Sequence, residues 1–315
     1  MNKGHNTYNG ILLFDKPAGI TSHDVVLQIR RIIGQRKVGH TGTLDQRATG
    51  LMIICLGKAT KISRFITDLE KVYEAEIYLG RKSKTYDGEG VFVDQLPIKI
   101  PDLTEREFKD ILSEFTGIIK QKVPVYSAVR VQGQHLYKYA RQGIDVEPPE
   151  RDVEIKQIEF LDYKKPFLTI KVSCSKGTYV RALANDLGNR LGCGGYLSHL
   201  RRLSIGNLTL KKALTFDHIR TYHQNDVLTK KLIPYHKILD FGALTVTESF
   251  EKYVLSGKEV KRKYIIEWEG NFQPGDKIFL KNSQGEVLAV GQAEVSAEEI
   301  DNNNNKLFSY LRVLN

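Results

Sequence analysis

From Val38 to Met52 the chain reads Val-Gly-His-Thr-Gly-Thr-Leu-Asp-Gln-Arg-Ala-Thr-Gly-Leu-Met, and an apolar run from Leu51 through Met52 and Ile53 to Ile54 leaves it directly. No other stretch restricts the fold as tightly. Glycines at 39, 42 and 50 permit tight turns and close backbone approach. Threonines at 41, 43 and 49 can hold a turn rigid through side-chain hydrogen bonds. The apolar run predicts a buried strand, so the loop must open onto the edge of a core. Asp45 sits in the middle of the loop. On composition alone an Asp capping a turn is the plainer reading, with a catalytic carboxylate as the alternative.

A core is affordable, because hydrophobic residues make up 41% of 315 and a chain of this size can form one large domain or two unequal ones. No apolar run approaches the ~20 residues of a membrane-spanning helix. The polar start, Met-Asn-Lys-Gly-His-Asn, precedes no signal-like stretch, so a cytoplasmic location is expected. Cys55, Cys174 and Cys193 are too scattered for a disulfide framework or a zinc site. The histidines form no pair at ligand spacing, and no metal is expected. The net charge of +10 points to a polyanionic partner, nucleic acid first. It is uneven: residues 235–315 hold 10 Lys+Arg against 12 Asp+Glu, leaving 37 against 25 for residues 1–234.

Taken in order, Gly10 to Asp15 predicts a buried strand, and Thr21-Ser22 opens a helix with Val25, Val26, Ile29, Ile32 and Ile33 on one face and Gly34 as its cap. Lys58 to Phe65 reads as a short basic helix. Tyr73, Ala75, Ile77 and Leu79 alternate with polar neighbours, the period of a half-exposed strand. A polar, turn-rich segment from Arg81 to Gly90 contains Thr85 and Asp87. Thr104 and Glu107 form a capping box for a helix ended by Gly117. Residues 120–152 mix Lys120, Lys122, Arg130, His135, Lys138 and Arg141 with Tyr126, Tyr137 and Tyr139. Such mixing suits RNA, whose bases stack and whose phosphates attract charge; an ordinary amphipathic helix is the alternative. A strand over Leu168 to Cys174 runs into Ser-Lys-Gly-Thr-Tyr-Val-Arg and a helix broken at Gly192. Leu197, Leu200 and Leu203 then alternate with Arg201 and Arg202. Pro234 suits a linker. Beyond it, short strands include a hairpin turning at Asn282 to Gly285, a polar loop at Asn302 to Asn305 and a closing strand at Tyr310 to Leu314.

Five blocks now carry a resemblance: Gly10-Ile-Leu-Leu-Phe-Asp-Lys-Pro-Ala-Gly-Ile-Thr-Ser, Gly39-His-Thr-Gly-Thr-Leu-Asp, Lys71-Val-Tyr-Glu-Ala, Tyr126-Ser-Ala and Cys174-Ser-Lys-Gly-Thr-Tyr-Val-Arg. In this order they resemble the TruB family of tRNA pseudouridine synthases. The resemblance implies an α+β fold: a mixed, largely antiparallel sheet flanked by helices, over residues 1–234, with a small C-terminal PUA-like β domain over 235–315. It implies that residues 120–152 are an RNA-gripping insertion, that the substrate is uridine 55 in the T-loop of tRNA, and that no cofactor and no obligate protein partner is needed, a monomer being expected.

On that resemblance Asp45 aligns with the nucleophile, Arg181 with its cationic partner and Tyr73 with the active-site tyrosine. Tyr179 and Leu200 align with the uracil pocket, and His40 with a histidine contacting RNA near the target. From residue type, Lys138, Arg141 and Arg47 are candidate phosphate contacts. Lys16 and Pro17 are expected to support the loop. Gln46-Arg47 stand where family members commonly carry Pro-Leu, and Pro124-Val125 where they carry Pro-Pro. The chemistry asks for a carboxylate kept ionised as water is excluded, which a planar guanidinium can do by holding both oxygens. The target base must first be flipped out of its stack. Two alternatives use the same residues: an RNA-binding module without chemistry, and a synthase working on guided RNA inside a larger complex.

Overall fold

The computed structural model describes residues 7–90, 92–93, 98–303 and 305–314. The polar N-terminal hexapeptide and Asn304 of the expected polar loop lie outside them. The chain runs β1 (Gly10–Lys16), α1 (Ser22–Ile33), β2 (Val38–Thr41), β3 (Thr49–Leu56), α2 (Ser63–Thr67), β4 (Lys71–Leu79), α3 (Glu105–Ser113) and β5 (Gly117–Lys122). A small hairpin of β6 (Arg130–Val131) and β7 (Gln134–His135) leads into α4 (Leu136–Arg141). Then come β8 (Glu150–Lys164), β9 (Phe167–Cys174), α5 (Val180–Arg190), β10 (Gly195–Ile205), β11 (Leu208–Thr209) and α6 (Phe216–Gln224). These strands, the small hairpin aside, form one sheet of order β1-β3-β10-β4-β9-β8-β5, with β2 added on β3 and β11 on β10. Its pairings are antiparallel except β10 with β3, the mixed sheet that the resemblance implies.

The remaining elements are β12 (Gly242–Val246), α7 (Glu248–Val254), β13 (Ile265–Glu269), β14 (Lys277–Lys281), β15 (Val287–Ala293) and β16 (Phe308–Val313). They build a second sheet of order β13-β12-β14-β15-β16. The expected hairpin is the β14–β15 pair.

The uninterrupted apolar run of β3 has a packing cause: both its faces are covered. Met52, Ile54 and Leu56 join α1 residues Val25, Val26 and Ile29 in one core. Leu51, Ile53 and Cys55 face the other way and pack with Phe65 and Ile66 against Phe279, Val287, Val290 and Leu314 of the second sheet. A strand buried on both sides has no use for polar alternation, and each such side chain contributes ~1.5–3 kcal/mol by leaving water. β4 is the contrasting case, with Tyr73, Ala75, Ile77 and Leu79 buried and their neighbours only half-buried.

α1 starts with a reciprocal box in which the Asp24 amide donates to Thr21 Oγ1 at 3.1 Å and the Thr21 amide to Asp24 Oδ2 at 3.0 Å. It stops at Gly34, whose φ of 66° is left-handed. The capping box at Thr104 and Glu107 is likewise present. Two boundaries differ from expectation. Residues 57–62 wind as a 3-10 helix before α2, and Gly117 begins β5 instead of closing α3, which stops at Ser113. All three cysteines are free and buried. Among the described residues no helix is long and apolar enough to cross a membrane.

Candidate active site

The turn carrying Asp45 lies between β2 and β3 and is pinned at nearly every residue. Ser22, at the start of α1, donates its hydroxyl to Leu44 O and accepts from Leu44 N, both at 2.9 Å. Ala48 N donates back to Asp45 O at 3.1 Å, closing the turn. Gln46 donates its side-chain amide to Gly19 O at 3.0 Å, and Gly19 N returns a bond to Gln46 O. Arg47 donates to Gly88 O at 3.2 Å and pairs with Glu89 at 3.4 Å. Gln46-Arg47 therefore tie the turn to two neighbouring loops by side-chain bonds.

Two buried cations complete the clamp. Lys16, with no exposed surface, donates to Pro17 O and Gln46 O at 3.0 Å and to Ala48 O at 2.7 Å. Arg202, 1% exposed, donates Nε to Leu51 O at 2.7 Å and Nη2 to Gly42 O at 3.2 Å, one carbonyl on each side of Asp45. Arg202 stands opposite Gly50 across the parallel β10–β3 pair. Gly50 has φ of 101°, and a Cβ there would lie 2.3 Å from Arg202 O, so only glycine fits this crossing.

Burial pulls the Lys16 ammonium down to about 8, with Asp45 opposing. Because the unfolded chain keeps its proton to ~10.4, Lys16 makes folding more favourable as pH rises from about 8 to that value. The clamp responds in the opposite sense. An ammonium has three N–H groups for three carbonyls, whereas the neutral amine has two. Activity is therefore expected to fall severalfold between pH 7.5 and 9.5 with no parallel loss of melting temperature. Lys16→Met, slower throughout, should lack that alkaline limb in a pH–rate profile.

Opposite the turn, Arg181 lies in the first turn of α5. The buried Gln121 side chain fixes that helix start, accepting from Tyr179 N at 2.7 Å and donating to Tyr179 O at 3.1 Å. The Arg181 side chain is 8% exposed and that of Asp45 52%, and they meet at a single Nε–Oδ2 distance of 3.9 Å. Arg181 is nearer Asp87, with Nη1–Oδ2 3.4 Å, and donates Nη2 to Tyr126 O at 2.7 Å. The expected two-oxygen grip on Asp45 and the water-excluding surroundings are thus not found: half of the carboxylate faces solvent. The reason is competition, since Asp87 and a backbone carbonyl take the fork of the guanidinium. Nε of Arg181 is buried and has no hydrogen-bond partner among the described residues.

Between these walls runs a cleft of about 320 Å³ lined by Asp45, Tyr73, Tyr179, Arg181, Leu200 and Arg202 among others. Tyr73 is 9% exposed and faces Arg202 across the β4–β10 pair. Burial pushes its phenol up, with the Arg202 guanidinium opposing, so the hydroxyl keeps its proton at neutral pH. Leu200 is half-buried and is both core wall and cleft wall. The ring of Tyr179 lies 5.7 Å from the Arg181 guanidinium. Arg141 joins Asp45, Asp87 and Arg181 around an adjoining cavity of about 210 Å³, its guanidinium 5.5 Å from the Tyr137 ring. Lys138 is exposed and lines neither cavity. His40 sits on β2, paired with Ile54, and is also not among the lining residues. Burial, with Arg202 and His23 nearby, lowers its affinity for a proton. Among the described residues no three His, Cys, Asp or Glu side chains converge into a group able to hold a metal ion.

The TruB family pseudouridylate synthase N-terminal domain matches residues 30–180, the tRNA pseudouridylate synthase B C-terminal domain residues 181–240, and the PUA domain residues 242–307. A protein of Bacillus licheniformis named tRNA pseudouridine synthase B is 38% identical over 294 residues, covering 90% of this chain and 92% of its own. The chain belongs to the TruB family of pseudouridine synthases. A Clostridium acetobutylicum protein of the same name is 41% identical over 262 residues, covering 82% of this chain and 88% of its own. Among solved structures, a chain of a Cbf5-Nop10-Gar1 complex superposes with a TM-score of 0.76 at 24% identity, covering 99% of this chain and 86% of that one. One from an archaeal box H/ACA sRNP complex gives 0.74 at 23%, with 99% and 87% covered. These two establish the likeness of fold.

In this TruB-family chain the tertiary structure adds site residues that reading the sequence passed over. Asp87 was visible only as part of a polar turn; it accepts from Thr85 Oγ1 at 2.5 Å and from Glu89 N at 3.0 Å and so presents its other oxygen to Arg181. Arg202 read as one of two basic residues on a strand. Its signal was faint: a glycine at 50 preceding an apolar strand implies a close crossing, but nothing local names the partner. Gln121 gave no signal at all.

Proposed function

We propose that this enzyme converts uridine 55 in the T-loop of tRNA to pseudouridine without a cofactor, with Asp45 as the nucleophile. The observation that carries the reading is the fixation of Asp45: hydrogen bonds from Ser22, Lys16, Gln46 and Arg202 hold its turn over a cleft whose far wall is Arg181. Holding a reacting group in place before the substrate arrives is a main source of rate acceleration. Relatives named tRNA pseudouridine synthase B support the choice of substrate class.

The reaction breaks the bond from ribose C1′ to N1 of uracil, turns the base within the cleft and joins C1′ to C5. One proton leaves C5 and one is gained at N1, so nothing is oxidised or reduced. The base must be flipped out of the loop, which costs a few kcal/mol. The Tyr73 ring offers a stacking face, and its phenol stays protonated and able to donate. As the base enters and water leaves, Arg181 keeps Asp45 charged, its unpartnered Nε–H needing only a short approach. Residues 1–234 carry the chemistry and 235–315 add contacts to the acceptor end. The protein works as a monomer on tRNA in the cytoplasm. An unmodified tRNA transcript incubated with it should acquire pseudouridine at position 55 alone. No product, or product mapping elsewhere, overturns the reading.

Residues 120–152 serve as the grip on the T-arm, with Arg141 beside the site and Lys138 exposed on the same short helix, α4. Arg141→Ala and Lys138→Ala are expected to raise KM roughly three- to tenfold with little change in kcat. Each should flatten the dependence of log affinity on log salt by about 0.7, the loss of one phosphate contact on single-stranded RNA. Steady-state kinetics and a salt titration of tRNA binding check this.

A further inference from the structure

Base flipping needs more than stacking faces: an extruded base is also read through hydrogen bonds to its polar edge. The cleft offers Tyr73, Tyr179 and Leu200 as faces, and five Ser or Thr hydroxyls line it. Three are committed within the protein. Thr67 donates to Ser63 O at 3.0 Å, Ser175 accepts from Glu154 N at 3.0 Å, and Thr178 donates to Ser175 O at 3.0 Å. Thr43 is exposed to water. The fifth, Ser127, is 5% exposed, and its hydroxyl has no hydrogen-bond partner among the described residues.

A buried hydroxyl without a partner is costly, and this one is not loosely held. Its own carbonyl accepts from Tyr137 N at 3.1 Å. On either side, Tyr126 O accepts from Arg181 at 2.7 Å and Ala128 O lies 2.6 Å from His135 Nδ1. The segment is therefore fixed at the cleft wall one residue from the anchor of Arg181, while the hydroxyl can rotate among staggered positions. Resting on the function proposed above, we propose that Ser127 contacts the substrate, its hydroxyl hydrogen-bonding the polar edge of the flipped uracil. A hydroxyl both donates and accepts, so it can stay bonded as the base turns and presents a different edge.

The test compares wild type, Ser127→Ala and Ser127→Thr on one unmodified tRNA transcript, and measures their binding to the same transcript lacking the base at the target position. Ser127→Ala should lower kcat/KM roughly tenfold, the scale of one uncharged hydrogen bond, with an unchanged melting temperature. Ser127→Thr should recover most of the loss. All three should bind the abasic transcript equally, because the contact partner is gone. Wild-type kinetics for Ser127→Ala, failure of Thr to rescue, or an equal loss of abasic binding overturns the assignment while leaving the isomerase reading standing. A wild type that makes no pseudouridine overturns both.

Discussion

Asp45→Asn is expected to reduce pseudouridine formation by at least about 10⁴-fold, the scale on which removing a nucleophile acts in enzymes that use one. The fold should not notice the change. The Asp45 side chain is half exposed and its contact with Arg181 is 3.9 Å long, and substitutions at such positions usually stay within ~0.5 kcal/mol. The bonds that hold the turn come from the backbone and from other side chains, and an amide of the same shape disturbs none of them. Affinity for tRNA should likewise stay within a few-fold. Single-turnover assays with parallel thermal melts decide it. Full product from Asp45→Asn would remove Asp45 from the chemistry, and a collapsed melting temperature would show that the carboxylate serves the fold.

The second large effect concerns stability first. Arg202→Met keeps most of the side-chain length but leaves the carbonyls of Leu51 and Gly42 without their donor in a site 1% exposed. Each buried acceptor left unpaired costs ~1–3 kcal/mol, so about 3 kcal/mol is expected in all. In a chain of 315 residues that lowers the melting temperature by roughly 4–6 °C. Activity should fall further than the folded fraction explains, because the two carbonyls flank the Asp45 turn and their release frees it. Thermal melts and kcat at a temperature where the variant is still folded separate the two contributions. Melting like wild type would show that Arg202 is replaceable packing.

The two variants probe different parts of one device. In the proposed mechanism Asp45 is the reacting group, and it contributes little to the fold; Arg202 is buried in the fold and takes no part in the proposed chemistry. Lys16 belongs with Arg202, and its lowered proton affinity links the two properties through pH. Burying cations is expensive unless they are hydrogen-bonded. Here three backbone carbonyls around Lys16 and two around Arg202 meet that need.

The sequence by itself determined most of the elements and named part of the cleft wall. The spacing of Val25, Val26 and Ile29, the alternation of Tyr73 to Leu79, the boxes at Thr21 and Thr104 and the glycine at 34 are local signals with local causes, and each reappears in the structure. The five blocks pointed to the family and so to Asp45, Tyr73, Tyr179, Arg181 and Leu200, which the fold gathers around one cleft. Only the tertiary structure decided what holds them. Arg202 reaches its partners across about 150 residues of chain and Gln121 across 58, and no window of sequence contains both ends of such a bond. It also decided that Arg181 rests on Asp87 while Asp45 waits half in water. A guanidinium has one fork, and which carboxylate fills it depends on how two distant turns meet.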